Sequence, residues 1–423
     1  MGTRIHYAWI VLLLSFFGVL AVQGVRLSFG AYIEPWEAEF AANRGQISLI
    51  SAVSFIVYGL TVPVFGRLVD RFGVVRVFAP CILLTGLSTI CTAFAGETWH
   101  LMLLYGIISS VGFGGASGVV ATVAVTNWFA RKRGFAYGVL EAGFAAGQMI
   151  IVPVSLFLIH GLGWQQAVLI TGTFLIAVVF PIILLFLKDR PADKQAQPLG
   201  AEDVSPSQEA AAESETAGSV PPASDDAPAG GRRPMAALKS RIFWFLFLPF
   251  VICGYTTTGL MDTHLIPYSH GIGHSVEVTG IAVGLLAAFN IVGCVLSGFL
   301  SDRWNPALLL AVLYAARAVS MVILLFAAEP VWLIVFAVLF GLADFATVAP
   351  TTLIASRHFR THSLGLIIGI ITLGHQIGSA LGAYVPGLMH TWTGSYFDAF
   401  VIAIILLAIA SMLSASIRPA KAS

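Results

Sequence analysis

The sequence predicts an all-α membrane protein with twelve transmembrane helices in two pseudo-symmetric halves of six. Of its 423 residues, 58% are hydrophobic and only 10% are charged, and the mean hydropathy is +0.90. A water-soluble domain of this composition would have too few polar residues to cover its surface. The chain contains twelve apolar runs of about 20 residues or more, the length that spans a hydrocarbon core of about 30 Å. Several residues also recur in the second half at a nearly constant offset, which indicates an internal duplication.

Six apolar runs form the first half of the chain. The first begins shortly after Arg4 and is too long for the core of a signal peptide, so we interpret it as a retained helix. The six predicted helices cover residues 8–30, 46–69, 75–95, 99–128, 134–159 and 164–187. We assign residues 1–187 to an N-terminal six-helix bundle.

A polar segment separates the two sets of helices. Pro, Ala, Ser, Glu and Asp dominate between Pro191 and Gly231, without periodicity or apolar residues to bury. Residues 188–240 are therefore expected to form a solvated, disordered linker on the cytoplasmic side. The six later predicted helices cover residues 241–268, 277–300, 307–328, 331–356, 364–389 and 397–417. Residues 241–423 are accordingly assigned to a C-terminal six-helix bundle.

The distribution of basic residues predicts the orientation in the membrane. With twelve spans, both termini and the linker lie on one side, which carries 19 of the 22 Lys and Arg residues. The connections on the other side contain only Arg44. Since basic connections stay in the cytoplasm, both termini are expected to face the cytoplasm, with the protein in the cytoplasmic membrane.

The duplication is clearest at a charged turn between the second and third predicted helices of each half. The pattern G-x-x-x-D-R occurs twice at an offset of 232 residues, at Gly66, Asp70 and Arg71 and again at Gly298, Asp302 and Arg303. Pro35 recurs at the same offset as Pro267. At an offset of 231, four spaced glycines recur, namely Gly134, Gly138, Gly143 and Gly147 as Gly365, Gly369, Gly374 and Gly378.

The repeated turn resembles the loop signature of the major facilitator superfamily, and this resemblance covers the whole chain. It implies the major facilitator fold, with the first and seventh helices along a central cavity and transport by alternating access. Val74 and Val75 depart from the superfamily pattern, because basic residues are common at those positions.

We expect the repeated turns to latch the cytoplasmic mouth of the cavity. Gly66 allows close helix packing, and Asp70 can bridge to the other half only when that mouth is shut. The alternative is a plain solvated loop. The residues assigned to gating are Gly66, Asp70, Arg71, Arg76, Asp302 and Arg303 in the turns, with Arg131 and Glu141 near the start of the fifth helix.

A narrower resemblance concerns residues 25–150. The aromatic pair Trp128-Phe129, the basic run Arg131-Lys132-Arg133 and the spaced Ala and Gly that follow are similar to the fifth-helix signature of the monocarboxylate transporter family. The chain departs from that family at three places. It lacks the acidic-Gly-Gly opening, it has Leu27 in place of a first-helix lysine, and Asn290 and Cys294 stand where animal members have Asp and Arg.

Charged residues inside predicted helices are the candidates for a transport site, because such charges are costly in a membrane. Arg26 lies in the first helix, and Asp262 and His264 lie in the seventh. The superfamily resemblance places both helices at the cavity, so we expect Arg26 to hold a carboxylate, with Asp262 as its resting partner. Asp262 or His264 would take up a proton, and His264 would also contact the substrate. The alternative for Arg26 is a side chain that extends to the outer interface.

Two further pairs of residues are less clearly placed. Arg317 and Asp344 lie near the middle of the ninth and tenth helices, where they form either a structural ion pair or a proton-coupling site. His375 and Gln376, midway along the eleventh helix, are either substrate-binding donors in the cavity or satisfied groups in helix packing.

These observations predict a monomeric secondary transporter for a small organic monocarboxylate, with proton symport. An organic-anion exchanger of the oxalate/formate type, a drug-efflux pump and a membrane sensor with the transporter fold are the alternatives. An enzyme is not expected, because the chain shows no nucleotide-binding glycine loop and no catalytic constellation. The four cysteines have no metal-ligand spacing, and we expect no metal, no cofactor and no nucleic-acid partner, only the anion, the proton and the lipid bilayer.

Overall fold

The computed structural model describes residues 6–130, 133–194, 196–200, 239–359 and 364–417, with the side chains of 133–135, 141, 302 and 364–366 left undescribed. Twelve helices in these ranges are long and apolar enough to cross a membrane. They are α1 (Tyr7–Phe40), α2 (Arg44–Phe72), α3 (Val75–Thr92), α4 (Thr98–Trp128), α5 (Arg133–Leu162), α6 (Trp164–Phe186), α7 (Arg241–Gly271), α8 (Val276–Arg303), α9 (Pro306–Leu324), α10 (Pro330–His358), α11 (Leu364–Thr393) and α12 (Phe397–Ala415). No sheet occurs in the described ranges, and the predicted fold class is confirmed.

Five of these helices contain irregular turns: π-helical turns occur in α4 at Met102–Ser109 and in α6 at Leu175–Val179, and α1, α7 and α10 are interrupted as follows. Ser28 interrupts α1 between Tyr7–Leu27 and Phe29–Phe40, and its hydroxyl donates to the Gly24 carbonyl at 2.8 Å. A π-helical turn, Tyr255–Met261, interrupts α7. In α10, Asp344 ends the first segment, and a 3-10 turn follows it. Since such interruptions often mark functional positions, they direct attention to α1, α7 and α10.

The described chain ends lie together at one end of the bundle, which we call the terminal end. There the Tyr7 hydroxyl donates to the carbonyl of Phe186 at 2.5 Å, and the Trp128 indole donates to that of Lys188 at 2.8 Å. The connections α1–α2, α7–α8, α9–α10 and α11–α12 lie at the opposite, distal end. The Tyr268 hydroxyl, for example, donates to the Leu324 carbonyl there at 2.9 Å.

The repeated glycines have the same packing role in both halves. A Cβ atom on Gly147 would collide with the Leu20 carbonyl of α1, and a Cβ on Gly378 would collide with the Val251 carbonyl of α7. Leu20 and Val251 are themselves 231 residues apart. Small residues therefore bring α5 against α1 and α11 against α7, as expected where helices in a membrane associate through close backbone contact.

The second helix of each half also starts in the same way. Asn43 caps α2 by accepting from the Gln46 amide at 2.9 Å, and the Gln46 side chain accepts in return from the Asn43 amide. Ser275, which lies 232 residues later, caps α8 by accepting from the Val278 amide at 3.4 Å. These caps satisfy backbone donors that a helix start leaves free.

The hydrophobic core is divided between the two halves. One cluster of buried apolar side chains lies within residues 8–187, and a second is built mainly from residues 243–417. The halves meet where α2 packs along α11 and where α5 packs along α8. This arrangement agrees with the predicted two-bundle architecture, although the exact domain limits stay a prediction.

The first part of the predicted linker, which was expected to be solvated, is anchored to the first half at Asp189 and Leu199, although Arg190, Ala192, Asp193 and Lys194 are exposed. Asp189 accepts from the Val75 amide at 2.7 Å, which ties the linker to the α2–α3 turn. The Leu199 amide donates to the Trp128 carbonyl at 2.8 Å, and the Leu199 carbonyl accepts from Ala130 at 3.1 Å. These backbone groups find partners in the first half, a contact that composition alone did not indicate. Residues 201–238 of the linker lie outside the described residues.

Candidate functional site

A small cavity lies between the halves, halfway along the bundle. Its lining comes from α1, α2, α4 and α7, and consists of Arg26, Leu27, Phe29, Ser51, Ser54, Phe55, Tyr105, Asp262 and Thr263. The cavity thus brings together a guanidinium from the first half and a carboxyl group from the second. Of the residues predicted to form a transport site, Arg26 and Asp262 line it.

Arg26 is buried, with 6% of its surface exposed, and is held by groups from three helices. Its Nη1 donates to Gln23 Oε1 at 3.4 Å, and its backbone carbonyl accepts from the Tyr105 hydroxyl at 2.8 Å. The guanidinium carbon stands 3.9 Å from the centre of the Tyr58 ring and 5.1 Å from that of Phe55. The alternative that Arg26 extends to the interface is therefore wrong, because aromatic rings enclose the guanidinium inside the bundle.

One edge of the Arg26 guanidinium makes no hydrogen bond to the described residues. Both Nε and Nη2 are buried and have no hydrogen-bond partner. These two nitrogens form a planar fork that matches the two oxygens of a carboxylate. A buried cation with unpaired donors is costly, so the arrangement suits an anionic ligand that supplies the missing acceptors.

Asp262 follows directly after the π-helical turn of α7 and faces the same cavity. Its Oδ1 accepts from Gln148 Nε2 of α5 at 2.8 Å, whereas its buried Oδ2 has no partner. A close approach between α1 and α7 supports this position, because a Cβ on Gly30 would lie 2.9 Å from the carbonyl oxygens of both Asp262 and Thr263. Only a residue without a side chain fits at position 30.

Asp262 was expected to be the resting partner of Arg26, and this expectation is wrong for the conformation described. Both residues line the cavity, but the ion pairs within 4.0 Å among the described residues do not include them. Gln148 donates a hydrogen bond to the Asp262 carboxylate, and Gln23 accepts one from the Arg26 guanidinium. The two charged groups consequently remain available to a molecule between them.

The distal end of the bundle is closed by contacts between the halves. Arg44 of α2 donates to both carboxylate oxygens of Glu37, at 2.5 and 2.7 Å, and to the Tyr396 hydroxyl at 2.8 Å. His270 of α7 lies 2.8 Å from Glu34 of α1. These side chains form a distal gate, which we define as Glu34, Glu37, Arg44, His270 and Tyr396.

His264 contacts this gate through Tyr396 and is not part of the cavity lining, so its predicted contact with substrate beside Arg26 stays a prediction. Its Nε2 lies 2.7 Å from the Ala383 carbonyl, and its Nδ1 lies 3.0 Å from the Tyr396 hydroxyl. A carbonyl oxygen only accepts, so Nε2 carries the hydrogen, and Nδ1 of the neutral ring accepts from Tyr396. Burial raises the pKa of the Tyr396 phenol, so this hydroxyl keeps the proton it donates.

The helices separate at the terminal end. On α2, a Cβ atom added to Gly59 would lie 3.0 Å from the side chain of Gln376 of α11. A Cβ atom added to Gly66, nearer the terminal end, would have no neighbour within 4 Å. The same open space surrounds Gly298 on α8 and Gly369 on α11. From the contacts of the distal gate and the open space around these glycines, we infer a conformation closed at its distal end and open at its terminal end.

Among the described side chains, no latch residue bridges the halves in this conformation. Asp70, Arg71, Arg76 and Arg303 are all exposed at the terminal end. Their predicted role applies to the state in which this mouth is shut, and it stays a prediction. Arg131 and the side chains of Glu141 and Asp302, which were also assigned to gating, lie outside the described residues.

His375 and Gln376 serve helix packing in this conformation. The His375 ring lies 4.9 Å from that of Phe250 of α7, and its Nδ1 is 3.5 Å from the Ser379 hydroxyl. Gln376 packs on Gly59, and its buried Oε1 has no partner. Neither residue is part of the cavity lining. Their role in substrate binding stays a prediction for another conformation.

The predicted direct ion pair between Arg317 and Asp344 is not formed. Arg317 donates from Nη1 to the Cys253 sulfur at 3.2 Å and from Nη2 to the Thr256 hydroxyl at 2.5 Å. Asp344 Oδ2 accepts from Asn290 at 3.2 Å, while Oδ1 is buried without a partner. Both charged groups are buried inside the second half, and α7 and α8 supply partners that the sequence positions did not reveal.

Several residues of the site had no distinguishing signal in the sequence. Gln148 lies in an apolar helix, and its neighbour Gly147 was noted only as part of the repeat. Tyr396 lies in a short turn before α12. Arg44 was recognised as the basic residue of the far side, but its partners in α1 and near α12 required the tertiary structure.

Comparison with known proteins identifies similar sequences over nearly the whole chain. The sequence profile of the Major Facilitator Superfamily matches residues 9–383. The chain is 26% identical over 420 residues to YcxA, an uncharacterized MFS-type transporter of Bacillus subtilis (strain 168), covering 98% of this chain and 96% of the relative. It is 24% identical over 406 residues to monocarboxylate transporter 13 of Rattus norvegicus, covering 94% and 86%, respectively.

A solved structure has the same fold. It is that of a bacterial homologue of the human lysosomal transporter Spinster, in an inward-facing and unoccupied conformation. The TM-score is 0.71, the sequence identity is 16%, and the match covers 98% of this chain and 97% of that one. At this identity the likeness concerns the fold and not the substrate.

Proposed function

Because the chain belongs to the major facilitator superfamily, and is therefore a multi-pass membrane transporter and not an enzyme, we propose that it carries a small organic monocarboxylate together with a proton. The observation that supports this substrate class most directly is the free Nε and Nη2 edge of Arg26. A carboxylate is the common small anion whose two oxygens match that edge. Several relatives are named monocarboxylate transporters, which agrees with this assignment.

The cavity favours a small substrate with an apolar body. Beside Arg26 and Asp262, its lining contains Leu27, Phe29 and Phe55, together with hydroxyl groups of Ser51 and Ser54. Apolar walls with a few placed polar groups are typical of sites for small molecules. An anion with a second charge would lack a second cation in this lining, so a single carboxylate fits best.

A co-transported proton would balance the net charge of the loaded site. An anion bound to Arg26 gives a neutral pair, but the carboxylate of Asp262 adds a negative charge to the closed site. Uptake of one proton by Asp262 makes the loaded site neutral before the halves move, which lowers the cost of enclosing it. His264 is the less suitable proton carrier, because both of its ring nitrogens are engaged at the distal gate.

The distribution of basic residues orients this cycle. We propose that the terminal end faces the cytoplasm, since the sequence assigns 19 of the 22 Lys and Arg residues to the termini and connections of that side. The conformation described is then open to the cytoplasm and closed outward by Arg44, Tyr396 and their partners. In the opposite state, the distal gate would open and the turns around Asp70 and Asp302 would close. We expect a monomer in the cytoplasmic membrane, because each chain contains a complete cavity.

Transport assays in liposomes test this function. The purified protein is reconstituted, and uptake of labelled acetate, lactate, pyruvate, formate and oxalate is measured with and without an inwardly directed proton gradient. We expect one or more of the monocarboxylates to accumulate only with the gradient. Gradient-independent exchange of oxalate against formate would indicate the organic-anion exchanger instead. Absence of uptake and exchange for every compound would contradict the proposal.

A further inference from the structure

Gln148 is the side chain that links the first half to Asp262. It lies on α5, is 4% exposed, and donates from Nε2 to Asp262 Oδ1 of α7 at 2.8 Å. We propose that Gln148 is a positioning residue whose hydrogen bonding to Asp262 changes when that carboxyl group gains or loses a proton. This change alters the strength of the contact between the halves. Two hydrogen bonds would join the side chains when Asp262 is protonated, and one when it is ionised. This inference rests on the proposed role of Asp262 as the proton carrier.

The unsatisfied atoms of this pair support the proposal. Gln148 Oε1 and Asp262 Oδ2 are both buried and both lack a hydrogen-bond partner. Both atoms are acceptors when the carboxyl group is ionised, so they cannot satisfy each other. A proton from solution that binds to Oδ2 turns that oxygen into a donor. The acid then offers one donor and one acceptor, and the amide offers the complementary pair.

The gain is large because the atoms are buried. A buried polar atom without a partner destabilises the folded protein, and a single proton provides partners for two such atoms at once. An amide can bind both protonation states of Asp262, because Nε2 donates a hydrogen bond to the carboxylate and Oε1 can accept one from the protonated acid. A cationic residue at position 148 would favour the carboxylate alone. The neutral amide of Gln148 is thus compatible with a proton that binds and leaves in each cycle.

Other charged groups act on the same carboxyl group from the helices around it. Arg26 of α1 and Tyr105 of α4 line the same cavity as Asp262. Asp344 of α10 carries a second carboxyl group that interacts with Asp262 through space. Gln148 differs from these groups because it makes a direct hydrogen bond. Like Arg26 and Tyr105, Gln148 belongs to the first half, and the number of its hydrogen bonds to Asp262 affects the contact between α5 and α7.

This pairing has a consequence for the transport cycle. The contact between α5 and α7 is strongest when the site carries its proton and weaker after the proton has left. A protonated site therefore holds the two halves together around the bound anion, whereas loss of the proton loosens the interface. In this way the proton that neutralises the site also regulates the contact across it.

Infrared spectroscopy tests the pairing without a substrate. The protein is reconstituted in liposomes, and the carbonyl stretch of protonated carboxyl groups is followed as the pH is varied. The band of Asp262 is identified by its loss in Asp262→Asn. A hydrogen-bonded carbonyl absorbs at lower frequency than a free one, so Gln148→Leu should move this band to higher frequency. Gln148→Asn, whose shorter amide cannot reach both oxygens, should move it in the same direction.

Met149→Leu is the matched control, since the Met149 side chain is exposed on the same helix. It should leave the band unchanged. A band at the same frequency in wild type, Gln148→Leu and Gln148→Asn would overturn the inference while leaving the proton role of Asp262 intact. If no band is lost in Asp262→Asn, Asp262 does not bind the proton, and the premise itself fails.

Thermal unfolding in detergent provides a second readout. The protonated pair makes more hydrogen bonds in the folded protein, so its extra stability exists at low pH and is lost as the pH rises. We expect Asp262→Asn to remove this pH-dependent part of the Tm and Gln148→Leu to reduce it, and their effects not to add in the double variant. Met149→Leu should retain it. Additive losses in the double variant would contradict a direct pairing.

Discussion

Arg44 and Tyr396 lie 352 positions apart in the chain and are joined by a hydrogen bond of 2.8 Å from the guanidinium to the phenolic hydroxyl. The bond connects the second helix of the first half to the turn before the last helix of the second half. Glu37 holds the other edge of the same guanidinium, and His264 accepts from the same hydroxyl. A continuous chain of polar contacts thus closes the distal end of the bundle.

Tyr396→Phe should therefore weaken the distal gate. The loss of one hydrogen bond to a charged donor and one to His264 costs about 1–3 kcal/mol, equivalent to roughly a 5- to 150-fold shift in population toward the distally open state. The measurement is the rate at which an impermeant thiol reagent labels Thr263→Cys from the outside, in a background without the four native cysteines. Thr263 is a suitable reporter position, because it lines the cavity.

Tyr268→Phe is the matched control for this experiment. Its hydroxyl lies at the same end but donates to Leu324 within the second half. It should cost stability without increasing the labelling rate. An equal increase in both variants would show that general loosening, and not the gate, accounts for the effect.

Asp70→Asn should favour the conformation described here. Asp70 is exposed in it, and among the described residues no hydrogen bond or ion pair links it to the other half. Removal of its charge should therefore leave the free energy of this conformation unchanged. It should destabilise the conformation in which the cytoplasmic mouth is closed. Thiol labelling of Gly369→Cys from the terminal end should rise. Asp398→Asn, an exposed acid at the distal end, is the control, and equal labelling of all three proteins would count against a latch.

The fold was predictable because its signals are carried by long stretches of sequence. Twelve apolar runs predicted the helices. The repeated glycines indicated the duplication, and the structure shows that they pack α5 on α1 and α11 on α7. The site was only partly predictable. A charge inside a membrane helix is visible in the sequence, so Arg26 and Asp262 were found. The partners of Arg317, Asp344 and His264 could not be predicted, because they come from distant helices. The sequence gives the depth of a residue along its helix but not the neighbouring helix that its side chain faces.

Arg317 and Asp344 should remain energetically coupled even though they do not touch. Both charges are buried in the second half, where water cannot screen them, and each leaves the other uncompensated when it is removed. We expect Arg317→Met and Asp344→Leu each to lower the Tm in detergent by more than the double variant does. If the losses of the two single variants simply add, the charges do not sense each other.

Asp262→Asn should separate proton coupling from substrate movement. The amide still accepts a hydrogen bond from Gln148 and leaves Arg26 in place, but it cannot bind and release a proton. Counterflow of the best carboxylate found with the wild type should continue, whereas accumulation driven by a pH gradient should be lost. Accumulation at the wild-type level would show that another group carries the proton.

The central claim is that the free edge of Arg26 binds the carboxylate of the substrate, and uptake by Arg26 variants tests it most directly. The initial rate of uptake of the best carboxylate is measured over a range of concentrations in liposomes containing wild type, Arg26→Lys or Arg26→Ala. Lysine keeps the charge but not the planar pair of donors, so the account predicts a KM raised by about tenfold or more in Arg26→Lys and no specific uptake in Arg26→Ala. Wild-type uptake by Arg26→Ala would contradict the account.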